Sequence, residues 1–246
     1  MVTSQLASLL LYSFINLLTN ILYLSAFCYN KEDYSLKGLT VMPKSIQHII
    51  QNYKAKPYGQ QRLYAVLLPL IEVKDELHVL YEVRSHLISQ PGDTSFPGGG
   101  VEEGESFEAA AVRETTEELN IGADDIEVYG AIDYVVNDRA IIYCFVGKIN
   151  RPLDSFQVNE EVERLFTVPL AFLMENEPKY YTIQSKALYD EEFPFHLINN
   201  GRDYKFSHMK HHTPFYSLPE ETLWGYTANL THRFTSILKE QEFKLE

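Results

Sequence analysis

The chain has 246 residues, of which 45% are hydrophobic and 22% are charged, and its formal net charge is −13. These values are typical of a soluble folded protein with a sizeable core. The negative charge argues against a nucleic-acid backbone or an anionic membrane surface as the main partner. Cys28 and Cys144 lack metal-ligand spacing and predict no disulfide framework, which favours a reducing cytoplasm. Cys144 lies in an apolar run and is expected to be a small core residue.

The first thirty residues carry no charge and are mostly apolar. Their length approaches the ~20 residues that cross a bilayer, but polar residues interrupt the run and no basic region precedes it, unlike a signal peptide. Three interpretations stay open: a membrane anchor, a buried helix, or a mistaken start, with translation beginning at Met42. An anchor would leave the remainder facing the cytoplasm, because several lysines follow it; the polar interruptions slightly favour the mistaken start. We therefore divide the chain into a leader (1–41) and a domain (42–246).

The domain begins with a predicted helix. Ser45 is a favoured cap, and Ile46, Ile49, Ile50 and Tyr53 fall on one helical face. Four strands follow in two pairs, each pair joined by a polar turn. They span residues 62–71 and 77–83, then 126–136 and 140–149.

Three further helices are predicted. One begins after Ser106, one lies near Val168 with Pro169 in its first turn, and one follows Ser217, which forms a capping box with Glu220. Strands mixed with helices indicate an α/β fold around one mixed sheet.

The stretch FPGGGVEEGESFEAAAVRETTEELNI contains seven acidic residues and one basic residue. On a helix, Glu114, Glu117 and Glu118 point to one side. Three carboxylates at this density need a counter-charge, and a hard divalent cation with oxygen ligands suits the need. Arg113 is placed to pair with Glu105 of the preceding loop. A solvated acidic face is the simpler alternative, but the glycines, the ion pair and the three acids occur together at fixed offsets.

This stretch resembles the signature of the Nudix hydrolase family, G-x5-E-x7-R-E-U-x-E-E-x-G-U, where U is aliphatic. The matching residues are Gly99, Glu105, Arg113, Glu114, Glu117, Glu118 and Ile121. Thr115 replaces an aliphatic residue, which would loosen the packing beneath the helix, and Asn120 replaces the last glycine. Asn is the usual second choice for the left-handed end of a helix. The resemblance implies an α/β/α sandwich around a mixed β-sheet, and Mg²⁺- or Mn²⁺-dependent hydrolysis of a nucleoside diphosphate linked to another group.

The resemblance also implies roles for individual residues. Glu114 and Glu118 would be metal ligands, Glu117 a further ligand or a partner of coordinated water, and the carbonyl of Gly98 another ligand. Glu105 and Arg113 would form the structural pair of the signature, next to Gly99.

The residue that deprotonates water is implied less directly. In relatives it is either an acid of the signature, here Glu117, or an acid on a later loop. The segment VNEEVERLFTVPL resembles such a loop, with Glu161 as the candidate and Glu160 as the reserve. Two exposed loop acids without a catalytic role are an equal alternative.

A second motif concerns the substrate. LYEVRSHLISQPGDTSFPGG resembles L-L-T-x-R-[SA]-x3-R-x3-G-x3-F-P-G-G of the coenzyme A diphosphatase branch. The matches are Arg84, Ser85, Gly92, Phe96, Pro97, Gly98 and Gly99. The stretch is one residue short, and Ile88 or Ser89 stands where the second Arg belongs. Serine cannot replace a bidentate phosphate clamp. ETLWGYTANL, residues 221–230, resembles the C-terminal WGxTA helix of the same branch, although it could also be plain helix packing.

The implied function is hydrolysis of coenzyme A or a derivative to 3′,5′-ADP and (acyl-)4′-phosphopantetheine, with Arg84 and Ser85 at the substrate. An ADP-ribose or nucleoside-diphosphate-sugar diphosphatase is the alternative. A non-catalytic nucleotide sensor is disfavoured, because such modules lose acids that this chain keeps. We expect a small-molecule nucleotide as partner, no nucleic acid, a membrane only through the leader, a homodimer as one option, and a cytoplasmic location. The run SHMKHH fits no zinc pattern.

Overall fold

The computed structural model describes residues 41–207 and 209–243. The leader interpretations and Cys28 lie outside these residues. Among the described helices, none is long and apolar enough to cross a bilayer. The chain divides into two units, residues 1–56 and 57–246.

The first unit contains helix α1 (Val41–Asn52). The predicted helix is confirmed, but its predicted cap is wrong, because Ser45 lies inside the helix. Pro43 belongs to the first turn, where its fixed φ and missing N–H are tolerated. Proline therefore does not delay the start of the helix to Ser45.

An eight-stranded sheet forms the centre of the second unit. Its strands are β1 (Arg62–Val73), β2 (Glu76–Arg84), β3 (Thr94–Ser95), β4 (Gly98–Gly100), β5 (Ile126–Ala131), β6 (Val135–Val136), β7 (Ala140–Ile149) and β8 (Val162–Pro169). The order is β3-β2-β1-β7-β5, while β4, β6 and β8 pair with β1, β7 and β2 respectively. Strands β1 and β7 are parallel and the other pairs are antiparallel. The predicted mixed sheet is confirmed.

The four predicted strands are present, with one difference in the third. Strands β1 and β2 join through Lys74 and Asp75, whose φ values of 52° and 64° form a tight hairpin turn. The single strand predicted over residues 126–136 is wrong, because the segment forms β5 and β6. The register of β5 against β7 shifts at a bulge between Val128 and Gly130. The ladder ends at Ala131 and resumes in β6, where Val135 pairs with Ile142.

A second, antiparallel sheet precedes the last helix. It consists of β9 (Lys179–Ser185), β10 (Met209–Ser217) and β11 (Thr222–Trp224), followed by helix α4 (Gly225–Glu240). The capping box predicted at Ser217 and Glu220 is wrong, because Ser217 ends β10. Leu223 is fully buried opposite Tyr216, and this burial stabilises the hairpin more than a cap would stabilise a helix. Gly225 then starts α4 with a φ of 66°.

Helices cover both faces of the main sheet, as the sandwich prediction requires. Leu67 of β1 packs against Ala110 and Ala111 of helix α2 (Phe107–Leu119). The next residue, Leu68, faces the opposite side and belongs to the cluster that contains Phe234 of α4. Helix α3 (Leu170–Glu175) adds to that cluster, which also contains the fully buried Cys144. The sandwich and the core position of Cys144 are confirmed.

Helix α3 confirms the helix predicted near Val168 but corrects its start. Pro169 is the last residue of β8, where it pairs with His78, and it precedes the first turn. Strands β8 to β11 have no counterpart among the predicted elements, because β9 is exposed along its whole length and β8 and β10 lack a regular alternation of buried and exposed residues.

Candidate active site

Helix α2 carries most of the acidic residues, and its own sequence fixes both ends. The Oγ atom of Ser106 accepts a hydrogen bond from the Ala109 N–H at 3.1 Å, which confirms the predicted cap. Asn120 ends the helix in the left-handed conformation, with a φ of 50°. Thr115 is fully buried, and its hydroxyl donates to the Ala111 carbonyl at 2.7 Å. The threonine hydroxyl is thus satisfied, and the looser packing expected beneath the helix stays a prediction.

The three carboxylates of α2 differ in burial. Glu118 is only 3% exposed, whereas the Glu114 side chain is 18% and the Glu117 side chain 56% exposed. Oε2 of Glu118 accepts a hydrogen bond from the Gly98 N–H at 2.8 Å, which joins the helix to β4. Burial and the negative charge of Glu82 raise the pKa of Glu118 to about 9. Glu114 and Glu118 therefore lie at the centre of the site, and Glu117 lies at its rim.

The glycines before the helix allow close approach. A Cβ atom on Gly99 would lie 2.4 Å from the carboxyl carbon of Glu114. A Cβ atom on Gly98, whose φ is 151°, would lie 2.4 Å from the carbonyl oxygen of Ala65. Only glycine fits at position 98, where the neighbouring atoms are backbone and φ is positive, whereas a side chain at position 99 would displace the Glu114 carboxylate. The role of the Gly98 carbonyl as a metal ligand stays a prediction.

Arg113 connects the loop with the helix. Its Nε and Nη2 atoms donate to the two carboxylate oxygens of Glu105 at 3.0 and 3.1 Å. Nη2 also donates to the Gly100 carbonyl at 2.9 Å, and Nη1 donates to Oε1 of Glu114 at 2.8 Å. The predicted pair of Glu105 and Arg113 is present, and the same guanidinium holds Glu114 beside the glycine loop.

A further carboxylate, which the sequence pattern does not predict, comes from β2. Glu82 is 1% exposed, and its Oε1 accepts a hydrogen bond from Ser95 Oγ at 2.7 Å. Burial raises the pKa of Glu82. The Ser95 hydrogen bond, the positive charge of Arg84 and hydrogen bonding to Glu118 lower this pKa, but the effect of burial is larger. Strand alternation places Glu82 on the same face as Leu80, toward α2. That alternation is the signal that could have identified it.

The loop before β8 brings a fifth acid to the site. The negative charge of Glu161 helps to raise the pKa values of Glu82, Glu114 and Glu118, so its carboxylate lies near all three. Asn159 fixes this loop, because its N–H donates to the Glu118 carbonyl at 3.0 Å and its Oδ1 accepts from the Glu161 N–H at 2.9 Å. The exposed Glu161 can therefore reach the acidic cluster.

Ser85 and Arg84 occupy the end of β2 and the start of the following loop. The buried Ser85 donates from Oγ to the Glu160 carbonyl at 2.6 Å and from N–H to the Glu161 carbonyl at 2.8 Å. Ser85 thus positions the Glu161 loop, and its contact with substrate stays a prediction. The Nε atom of Arg84 donates to the Ser89 carbonyl at 2.8 Å. Ser89, which stands near the place of the missing second arginine, therefore orients Arg84.

The oxygen donors of the site fit a hard divalent cation. Glu118 and Glu82 are buried carboxyl groups side by side, and a cation would offset their mutual repulsion. No three acid, His or Cys side chains in residues 41–207 and 209–243 already converge on one ion position, and Glu114 is engaged by Arg113 instead. The donor set suits Mg²⁺ or Mn²⁺, and the choice between them stays a prediction.

This chain is similar to known proteins over more than half of its length. Residues 61–188 match the family described as NUDIX domain. Nudix hydrolase 3 of Caenorhabditis elegans is 30% identical over 186 residues, which cover 73% of this chain and 75% of that protein. The mitochondrial coenzyme A diphosphatase NUDT8 of Homo sapiens is 30% identical over 174 residues (68% and 65%). The peroxisomal coenzyme A diphosphatase NUDT7 of Mus musculus is 26% identical over 188 residues (74% and 74%). The matched region contains every site residue described above.

Proposed function

Because this chain belongs to the Nudix family and is therefore a hydrolase of phosphoanhydride bonds, we propose that its substrate is coenzyme A or a coenzyme A derivative. The products are then 3′,5′-ADP and (acyl-)4′-phosphopantetheine. Two similar proteins carry the name coenzyme A diphosphatase. Nudix hydrolases generally use divalent cations, and the oxygen donors around Glu118 are consistent with such a cation here.

One observation supports this substrate most directly: the two segments that resemble the coenzyme A diphosphatase branch meet at Thr94. Its Oγ1 donates to the Thr222 carbonyl at 2.7 Å, and its own carbonyl accepts from Thr227 Oγ1 at 3.0 Å. These partners are 128 and 133 residues away in the chain. At the same junction Trp224 stacks on Phe215, with ring centroids 5.5 Å apart. Both segments therefore support the loop that leads into the acidic cluster.

The chain's own residues suit hydrolysis of a diphosphate. A bound divalent cation supplies positive charge, which offsets the diphosphate oxygens and makes nearby water more acidic. Glu161 is our candidate base: it accepts a proton from the water whose oxygen attacks phosphorus. The bridging P–O bond breaks, and its oxygen leaves with the other phosphate. Ser85 and Asn159 hold the Glu161 loop for this step.

Arg84 is the candidate contact for phosphate oxygens outside the scissile bridge. Its Nε is used by Ser89, and the positive charge of its guanidinium acts on Glu82, at the edge of the acidic cluster. A charge-assisted hydrogen bond of this kind contributes about 1.5–3 kcal/mol. Coenzyme A carries a 3′-phosphate that ADP-ribose lacks, so Arg84 would favour coenzyme A.

The experiment is a hydrolysis panel with Mg²⁺ or Mn²⁺ and mass-spectrometric identification of products. The substrates are coenzyme A, 3′-dephospho-coenzyme A, acyl-coenzyme A, ADP-ribose, NADH and a dinucleoside polyphosphate. We expect coenzyme A to be cleaved faster than its 3′-dephospho form, and Arg84→Ala to lose this preference. Arg151→Ala is the matched control, because Arg151 pairs with Asp125 away from the site residues.

Faster hydrolysis of ADP-ribose than of coenzyme A, with Arg84→Ala leaving coenzyme A turnover unchanged, would transfer the protein to the nucleoside-diphosphate-sugar class. Binding of nucleotides without any turnover would indicate a sensor. A cytoplasmic location, a nucleotide as the small-molecule partner and a homodimer remain parts of the proposal that fractionation and light scattering can test.

A further inference from the structure

Glu82 is unexpected at its position. The motif of the coenzyme A diphosphatase branch has threonine there, whereas this chain places a carboxylate in the buried part of β2, between Tyr81 and Val83. Its Oε1 accepts the hydrogen bond from Ser95, whereas Oε2 is buried and receives no N–H or hydroxyl hydrogen bond from the described residues. The carboxyl group of Glu118 lies within hydrogen-bonding reach of Glu82. An unsatisfied buried carboxylate oxygen is unfavourable for folding unless something else compensates it.

The surroundings of Glu82 indicate what the compensation is. Glu118 is its neighbour across the gap between β2 and α2, and Glu161 adds a second negative charge. Arg84 supplies positive charge near Glu82, but its Nε is already bound to Ser89. Three carboxyl groups therefore meet at this point, and the described residues supply no N–H or hydroxyl donor to Oε2 of Glu82.

We propose that Oε2 of Glu82 is a further ligand of the divalent cation held by Glu118. The sheet then adds an acidic ligand to a site that the family signature builds from the helix and the glycine loop. Ser95 orients this ligand, because it occupies Oε1 and leaves Oε2 for the ion. The inference rests on the metal-dependent hydrolysis proposed above.

The test measures Mn²⁺ binding without substrate, by the loss of the free Mn²⁺ signal in electron paramagnetic resonance. The variants are Glu82→Gln, which keeps the shape but removes the charge, and Glu82→Thr, which restores the residue of the motif. Glu72→Gln is the matched control: Glu72 lies on the adjacent strand, is 61% exposed and pairs with Lys148. We expect the dissociation constant to rise about tenfold or more in both Glu82 variants and to stay within about twofold of wild type in the control.

Glu118→Gln separates this inference from the proposed function. If Glu118→Gln weakens Mn²⁺ binding while both Glu82 variants bind like wild type, the further ligand is wrong and the metal-dependent site stands. If wild-type protein binds no Mn²⁺, the further ligand is wrong, and the hydrolysis panel tests the proposed function separately. Far-UV circular dichroism and melting curves check that each variant is folded, and Glu82→Gln remains decisive if Glu82→Thr misfolds.

Discussion

Replacing Glu118 with Gln removes one negative charge from the acidic cluster and keeps the size of the side chain. Without divalent cations, we expect the variant to be more stable than wild-type protein at about pH 8, and to lose this advantage at about pH 5.5. The physical reason is that Glu118 is 3% exposed and lies beside Glu82, so its ionised form is unfavourable in the folded protein.

The direction of this stability difference follows from the pKa values of Glu118 in the unfolded and folded protein. Its pKa rises from 4.5 in the unfolded chain to about 9 in the folded protein. Its stabilising contribution is therefore full below pH 4.5 and is lost as the pH rises toward 9. Each pKa unit corresponds to about 1.4 kcal/mol, which gives an upper limit of about 3.5 kcal/mol between about pH 5.5 and 8. Because Glu82 shares the charge and buried groups relax, we expect the free energy of unfolding of Glu118→Gln to exceed that of wild-type protein by about 1–2 kcal/mol more at pH 8 than at pH 5.5.

Urea denaturation in EDTA, followed by circular dichroism at both pH values, measures this difference. Glu72→Gln again controls for the removal of an exposed charge. With Mg²⁺ or Mn²⁺ added, the order should reverse, because the cation stabilises the wild-type protein and the variant loses a ligand. The variant should also lose most turnover. A Glu118→Gln protein that is destabilised equally at both pH values, or that keeps wild-type turnover, would refute this reasoning.

Three further changes test neighbouring features. Gly99→Ala should displace the Glu114 side chain and reduce turnover about 100-fold. Gly100→Ala is the control and should retain wild-type turnover, because no atom lies within 4 Å of its added Cβ. An equal loss of turnover in both variants would contradict the close-approach explanation. Arg113→Lys should lower the free energy of unfolding by about 1–2 kcal/mol, measured by urea denaturation, and an unchanged value would show that the bidentate pair is dispensable. A chain that begins at Met42 should be soluble and fully active if Met42 is the true start; aggregation would instead favour a buried leader helix, and membrane fractionation of the full chain alone would favour an anchor.

Local signals predicted part of this fold well. The strands at 62–71 and 140–149 are long apolar runs, and such runs predict buried strands. Helix α2 contains in its own sequence the cap at Ser106 and the left-handed end at Asn120. The capping box at Ser217 is equally local, yet it fails. There the buried pair of Tyr216 and Leu223 decides the structure, and a sequence pattern of four residues does not contain that pairing.

The site divides in the same way. Glu105, Arg113, Glu114 and Glu118 lie at fixed offsets along one loop and helix, so the signature predicts their proximity. Glu82 comes from a strand, where a charged residue two positions before an arginine is usually exposed. Its burial depends on the packing of α2 over β2, which is a property of the assembled sandwich.

The junction at Thr94 also has a spectroscopic consequence. Trp224 is the one tryptophan of the chain, and it stacks on Phe215 two residues after the carbonyl that bonds to Thr94. The next residue along β3, Ser95, donates to Glu82. Tryptophan fluorescence, excited at the red edge of protein absorption, therefore reports on this junction alone. A ligand that shifts β3 would change the emission without any added label.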